Sequence, residues 1–548
     1  MTVPAEAPAN LTRRPRAYDE RTRNMKALVC AVLFAAPVLA AAPCESLAQV
    51  KAPNTTITKS EIVPAGAFVP AGGPADGQVG FDYKKLPPFC RVQGVIQPSS
   101  DSHIEFEVWL PSSGWNGRYE GVGNGGFAGS IDYGAMADAV FNGYAAAGTD
   151  TGHKGGAINA QWALGHPEKI ADFGYRAIHE TADRAKTIIA AFYSARPKHS
   201  YFSSCSNGGR EALMEAQRFP DDYDGILAGA PANYWTHLLA TAGYEDVFLN
   251  DPATRIPASK VPAIAAATLA ACDAQDGVKD GLINDPPRCH FDPSVLLCRG
   301  AESDTCLTAP QVASLKKIYE GPRDSSGKPI FPGRVPGGET GPGGWALWIT
   351  GPLPATSLMY GFGTGFFANF VFNDASWNYR TFQLDRDTKI ADDKLARTLN
   401  ATDPDLQRFK NHGGKLILYH GWNDPAISPL NSIDYFRSVE AKLGAKSTGE
   451  FARLYLVPGM QHCGGGPGPN TFGQGQVEGD PQHSVTKALE HWVENRQAPG
   501  PIIATKFRND NPAAGVARTR PLCPYPQVAK YRGSGSIDDA ASFTCMAP

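Results

Sequence analysis

The chain has 548 residues, 42% hydrophobic and 19% charged, with 51 basic side chains against 54 acidic ones. That length exceeds one ordinary core, so several domains or one large domain with an insertion are required. The near-balance of charge leaves nothing to hold a phosphate backbone or an anionic bilayer, which excludes a nucleic-acid binder.

Residues 21–26 are rich in basic side chains, 27–39 are apolar, and Ala40, Ala41 and Ala42 are the small residues a signal peptidase requires. Residues 1–42 therefore read as an export signal, with Met25 as an alternative start. Cys44 invites a lipoprotein reading, but Pro43 stands where a small residue should precede a lipidated cysteine. No later stretch has the apolar length of a transmembrane helix, so a secreted or periplasmic protein with no membrane association is expected.

Removing the signal removes Cys30 and leaves ten cysteines, an even number that fits a disulfide framework in an oxidising compartment. Connectivity is not fixed by sequence. Neighbouring cysteines form natural loop closures: Cys272 with Cys289, Cys298 with Cys306, and Cys523 with Cys545. Cys44 with Cys90 would tie down the N-terminal segment, which leaves Cys205 and Cys463.

Short apolar segments at 119–122, 143–148, 200–204, 225–229, 415–420 and 453–457 end in functional-loop residues, as parallel strands do, and 175–195 carries apolar residues at helical spacing. This alternation predicts an α/β protein with a mainly parallel sheet. The stretch from about 231 to 405 breaks the rhythm with two cysteine pairs, an aspartate-rich loop and a run of glycine, proline and aromatics. It is expected to be an insertion between two halves of one sheet, with 43–231 and 406–548 on either side and 232–405 as a lid.

The strongest chemical signal is Ser203-Ser204-Cys205-Ser206-Asn207-Gly208-Gly209-Arg210. A strand enters a tight turn with small residues around Ser206, and a helix follows. That is the arrangement of a nucleophile elbow, in which Ser204 replaces the usual first glycine. Such a fold supplies the acid and then the base further along the chain. Asp424 follows the strand at 415–420, and His462 follows the strand at 453–457. Alone, Asp424 reads as an Asp-Pro turn and His462 as a surface-loop histidine; order and placement behind the elbow turn both into candidates.

Cys205 and Cys463 then gain meaning, because one precedes the candidate nucleophile and the other follows the candidate base. If Ser206 and His462 are within hydrogen-bond reach, their neighbours are near enough to bond, subject to Cβ geometry. The rival reading makes Cys205 itself the nucleophile. Gly121-Val122-Gly123-Asn124-Gly125-Gly126 spells a dinucleotide fingerprint, but no helix is predicted after it. A glycine-rich loop there instead fits an oxyanion hole, with Gly125 or Gly126 as one donor and the Asn207 N–H as the other. Asp273, Asp276 and Asp280 lie on a glycine-punctuated loop flanked by Cys272 and Cys289; the spacing is not an EF-hand's, and a solvated acidic turn competes with a structural Ca²⁺ site.

Cys205-Ser206-Asn207-Gly208-Gly209-Arg210, Phe219-Pro220-Asp221-Asp222-Tyr223-Asp224-Gly225 and Gly459-Met460-Gln461-His462-Cys463 together resemble the tannase and feruloyl esterase family. The resemblance covers nearly all the mature chain, including Trp115-Asn116-Gly117-Arg118 and the stretch from Phe372 to Tyr379. It implies an α/β-hydrolase fold with a lid, catalysis by Ser206, Asp424 and His462, the Cys205–Cys463 bond, and a lid Ca²⁺ held by Asp273, Asp276 and Asp280 with the carbonyls of Val278 and Leu282. No organic cofactor is implied.

Members act on galloyl esters, on feruloyl and other hydroxycinnamoyl esters, and in one branch on a terephthalate monoester, whose free carboxylate calls for a basic partner. No lysine or arginine occurs between Arg334 and Arg380, in the aromatic part of the lid that holds Trp345, Trp348, Phe362, Phe366, Phe367 and Phe370. Those aromatics either stack a phenolic ring or form the lid's own core. The expectation is a serine carboxylesterase for small phenolic esters, linked to plant polysaccharide or tannin. A galloyl-directed tannase is the alternative, and a silent aromatic-glycoside binder is the reading from a different class.

Overall fold

The computed structural model describes residues 41–70, 81–474 and 479–548. The export signal expected over 1–42 lies outside the described residues up to position 40, as does Cys30.

Nine strands form the main sheet: β1 (Thr55–Val63), β2 (Phe89–Ile96), β3 (Ile104–Pro111), β4 (Arg118–Val122), β5 (Ala145–Thr149), β6 (His199–Cys205), β7 (Gly225–Gly229), β8 (Lys415–Gly421) and β9 (Ala452–Val457). Their order is β1-β2-β3-β5-β4-β6-β7-β8-β9, antiparallel through the β3–β5 pair and parallel from β5 to β9. All six strands predicted from apolar runs are present, and the predicted helix is Ala177–Tyr193. The central strands β5 and β7 are buried at every position, which is why they read as unbroken apolar segments. The first strand mixes half-buried and exposed positions over Thr-Thr-Ile-Thr-Lys-Ser-Glu, an edge pattern with little apolar signal.

Two apolar cores cover the faces of the sheet. One packs Ile188, Ile189 and Phe192 of Ala177–Tyr193 and Leu213 of the helix Asn207–Arg218 against Phe202, Ile226 and Leu418. The other packs Val485, Leu489 and Trp492 of the helix Val485–Asn495 against Tyr201, Leu227, Ile417 and Tyr455. Between β7 and β8 the chain leaves the sheet and builds helices, among them Trp235–Leu249, Val261–Cys272, Ala309–Glu320, Leu358–Gly365 and Leu384–Leu399.

These helices share a third core, around Leu239, Ile264, Leu315, Trp345 and Phe366, with Phe127, Ala160 and Phe173 from the first half of the chain. Residues 41–548 accordingly form one compact unit. After β9 the chain adds two small antiparallel pairs, Ile502–Phe507 with Val516–Leu522 and Val528–Tyr531 with Phe543–Met546. All five expected cysteine pairs are bonded: Cys44–Cys90, Cys205–Cys463, Cys272–Cys289, Cys298–Cys306 and Cys523–Cys545. No helix among the described residues is long and apolar enough to cross a membrane.

Candidate active site

Strand β6 ends at Cys205, and the helix Asn207–Arg218 starts two residues later. Ser206 between them has φ 66° and ψ −123°. A side chain held there is strained by about 1–3 kcal/mol and persists only where its surroundings enforce it. The enforcement is visible. Its N–H donates to Gly229 O of β7 at 2.9 Å, and its own carbonyl accepts from Ala232 and Arg210 N–H. A Cβ at Gly208 would stand 1.8 Å from Ser204 Oγ, and one at Gly209 would stand 2.3 Å from Gly229 O. The small residues of the sequence pattern are therefore demanded by contact with β6 and β7.

Asp424 and His462 come to the same end of the sheet, on the loops that follow β8 and β9. His462 Nε2 is 2.9 Å from Ser206 Oγ, and His462 Nδ1 is 2.7 Å from Asp424 Oδ2. An Nδ1–H facing the carboxylate leaves Nε2 free to accept the serine proton. Asp424 Oδ1 accepts the N–H groups of Ala426 and Ile427 at 2.8 and 3.0 Å. Burial alone would push the Asp424 carboxyl up, but the His462 charge and the bonds from His420 and His462 outweigh it and hold the group well below the usual carboxylate range. The arrangement is equipped to deprotonate a serine and to stabilise the imidazolium that results.

Cys205 and Cys463 are joined, with Cα atoms 5.9 Å apart across 258 residues of sequence. This bond ties the end of β6 to the loop that carries His462. It also removes the thiol that a Cys205 nucleophile requires, so that rival reading fails. The glycine run is followed by turns to position 132, and the next helix is Tyr133–Phe141, so the dinucleotide reading fails as well. Gly125 and Gly126 both border the cavity in front of Ser206. A Cβ on Gly125 would meet open space, whereas Gly126 has φ 57° and backs onto Ala157 O.

The cavity holds about 480 Å³ and is bordered by Ser206, His462, Trp235, Trp348, Phe362 and Met359, among others. Of the six aromatics singled out in the sequence, Trp348 and Phe362 line it, stacked with centroids 6.3 Å apart, and Trp348 meets the His462 ring edge-on at 4.9 Å. Trp345, Phe366, Phe367 and Phe370 lie in the third core, so the reading as the lid's own core holds for those four, and Trp348 and Phe362 are the two that face the cavity. Among the described residues, no lysine or arginine borders the cavity. Arg380 is exposed and lies over the Tyr379 ring.

Two buried groups around this centre have no sequence signal of their own. His420 is the last residue but one of β8, four residues before Asp424, and is fully buried. Its Nε2 faces two acceptors, Asp424 Oδ2 at 3.2 Å and Ile427 O at 3.0 Å, so Nε2 carries the hydrogen and Nδ1 accepts from Ser432 Oγ at 2.8 Å. Removing that donor by His420→Ala is expected to cost about 1–3 kcal/mol in urea unfolding and to lower kcat about tenfold through a loosened Asp424. The second group is Glu211, whose carboxyl burial pushes up to about 7 against the charge of Arg210 and hydrogen bonds from Asn124 and Asn207.

The aspartate-rich loop lies elsewhere, closed by Cys272–Cys289. Asp273 Oδ1 accepts the N–H groups of Asp280 and Gly281, and Asp276 Oδ1 accepts that of Val278. Asp280 Oδ2 is paired with Arg520 and with Arg518 at 3.3 Å, partners far along the chain that the sequence reading missed. Asn284 donates to Asp276 Oδ2 while its own Oδ1 is buried without a hydrogen-bond partner. That orphaned oxygen and the carboxylates beside it are hard donors of the kind Ca²⁺ takes. The three loop carboxylates do not converge on one point in this geometry. Among the described residues, the His/Cys/Asp/Glu trio whose ligand atoms lie within 4.8 Å of one another is His179, Glu215 and Asp222.

A mainly parallel sheet with a serine on a strained strand-to-helix turn, and an aspartate and a histidine on later strand ends, defines an α/β-hydrolase. A family model described as tannase and feruloyl esterase matches residues 90–546. An uncharacterized esterase of Xanthomonas campestris pv. campestris is 44% identical over 536 residues, covering 92% of each chain. The mono(2-hydroxyethyl) terephthalate hydrolase of Piscinibacter sakaiensis is 34% identical over 533 residues, covering 84% of this chain and 85% of its own. The crystal structure of feruloyl esterase B from Aspergillus oryzae superposes with a TM-score of 0.83 at 30% identity, over 92% of this chain and 99% of that one. The chain belongs to the tannase and feruloyl esterase family and is a carboxylic ester hydrolase.

Proposed function

We propose that the protein is an exported serine esterase that hydrolyses small esters of phenolic acids, feruloyl and other hydroxycinnamoyl esters foremost, through an acyl-enzyme. The observation that carries this reading is the hydrogen-bonded line Ser206–His462–Asp424 opening into a cavity walled by Trp348 and Phe362. His462 takes the Ser206 proton as Oγ attacks the ester carbonyl, and Asp424 holds the imidazole and stabilises its charge. The backbone N–H of Asn207 and one from the Gly125–Gly126 turn receive the developing oxyanion. His462 then protonates the leaving alcohol, and water releases the acid by the same steps in reverse.

An aromatic slot with no lysine or arginine among its described lining residues favours a neutral acyl ring. Methyl ferulate and methyl gallate are therefore expected to exceed the mono(2-hydroxyethyl) ester of terephthalate in kcat/KM by at least about tenfold, the worth of one unpaired carboxylate in an apolar site. Initial rates on a panel of aromatic esters test this. A preference for the terephthalate ester would overturn the acyl assignment. Phenolic esters linked to plant polysaccharide or tannin fit this reading, and five disulfides fit an oxidising compartment outside the cytoplasm.

The loop closed by Cys272–Cys289 would hold Ca²⁺ through Asp273, Asp276 and Asp280 with the carbonyls of Val278 and Leu282, in a structural role; a Cβ on Gly459, three residues before His462, would stand 2.7 Å from Leu282 Cδ2. Chelation followed by metal analysis is expected to lower the melting temperature, with Ca²⁺ restoring it. An unchanged melt with the metal demonstrably removed would contradict this assignment.

A further inference from the structure

Glu211 lies one turn into the helix Asn207–Arg218 and is 2% exposed. Its Oε2 accepts the backbone N–H of Asn124, the residue before Gly125, at 2.9 Å and 87 residues away in sequence. Its Oε1 accepts from Nδ2 of Asn207, the residue after Ser206, also at 2.9 Å. The glycine loop is seated directly on this carboxylate: a Cβ on Gly123 would stand 2.5 Å from Oε2. Behind it, Arg210 Nε donates to Asn207 Oδ1 at 2.8 Å, and the other guanidinium nitrogens donate to the carbonyls of Phe173 and Gly174.

An acidic side chain near a helix start is ordinarily explained by the helix dipole. That explanation needs neither full burial nor a bond to a distant loop. A carboxylate accepts on both oxygens and donates on neither, so it draws two N–H donors from separate segments toward one point. Those segments carry the two backbone groups assigned above to the oxyanion.

We propose that Glu211 is a positioning residue that ties the glycine loop to the start of the nucleophile helix, so that the N–H groups on the loop at Gly125–Gly126 and on Asn207 converge on the reacting carbonyl oxygen. The proposal rests on the esterase reading. Glu211→Gln keeps the shape but places an NH₂ against one of the two donors. Glu211→Asp keeps the charge opposite Arg210 but is too short to reach both.

The test compares kcat and KM for methyl ferulate with affinity for phenylboronic acid, which forms a tetrahedral adduct on an active serine, and for free ferulate, which does not. For Glu211→Gln, kcat is expected to fall about 10²-fold, the worth of one misplaced oxyanion donor. Boronate affinity should fall in parallel, while KM and ferulate affinity stay within about threefold. Glu211→Asp should shift the same quantities in the same direction, and it decides the matter if the glutamine variant does not fold. Wild-type kcat and boronate affinity in the folded variant, or a kcat loss with boronate affinity unchanged, would overturn the proposal. Failure of the esterase reading is distinguishable, because wild type would then release no more acid than Ser206→Ala.

Discussion

Ser206→Ala is expected to release ferulate from methyl ferulate at least about 10⁴-fold more slowly than wild type, with the fold intact by circular dichroism and melting. The size of the effect follows from the geometry. Ser206 Oγ borders the cavity and is the hydroxyl that His462 Nε2 contacts among the described residues, so no other described hydroxyl inherits the proton transfer. Residual rate would come from substrate binding and oxyanion contacts alone. Because Ser206 sits at φ 66°, alanine there keeps the backbone strain and removes only the oxygen. Glycine at the same position would relieve the strain and is expected to melt higher than the alanine variant, a comparison that separates the turn's cost from the hydroxyl's chemistry.

Loss of the Cys205–Cys463 bond, by the paired serine substitution or by verified selective reduction, is expected to lower kcat by about 10²-fold or more. His462 is carried on a long loop after β9, and displacement of a catalytic group by about 1 Å suffices for such a loss. In the chain-entropy account, opening a loop that spans 258 residues also removes about 5 kcal/mol of stability. The other four bonds join no cysteine that neighbours Ser206 or His462 in the chain, so their removal should lower the melting temperature more than it lowers kcat. Full activity after proven loss of Cys205–Cys463 would show that packing alone holds His462 in place. A kcat loss with KM near wild type is the expected pattern, because Trp348 and Phe362 remain to receive the ring.

The parts of this protein that were legible in the sequence are those where covalent neighbours carry the constraint. Strands β4 to β9 announced themselves because buried parallel strands are short and apolar from end to end. The turn at Ser206 announced itself because Ser204, Gly208 and Gly209 are small for reasons of direct contact. The pairing of Cys205 with Cys463 followed from their adjacency to Ser206 and His462.

What was not legible depends on partners brought together only by folding. Glu211 and Arg210 spell a common charged pair, and nothing local reveals that both are buried and aimed at Asn124, Asn207 and the carbonyls of Phe173 and Gly174. His420 reads as the polar end of a strand, although its ring is sealed between Asp424, Ile427 and Ser432. Arg518 and Arg520 sit more than two hundred positions from Asp280, which they neutralise. In the aromatic run, period and composition are the same for Trp348, which faces the cavity, and Trp345, which is core; only the third core's packing separates them.

The most direct measurement is rapid acid quenching of the enzyme with a feruloyl ester during turnover, followed by mass mapping of the peptides. The expected result is a feruloyl group on the peptide that carries Ser206, formed in a burst and absent from Ser206→Ala. An acyl group on another residue, or unimpaired turnover by the alanine variant, would contradict Ser206 as the nucleophile.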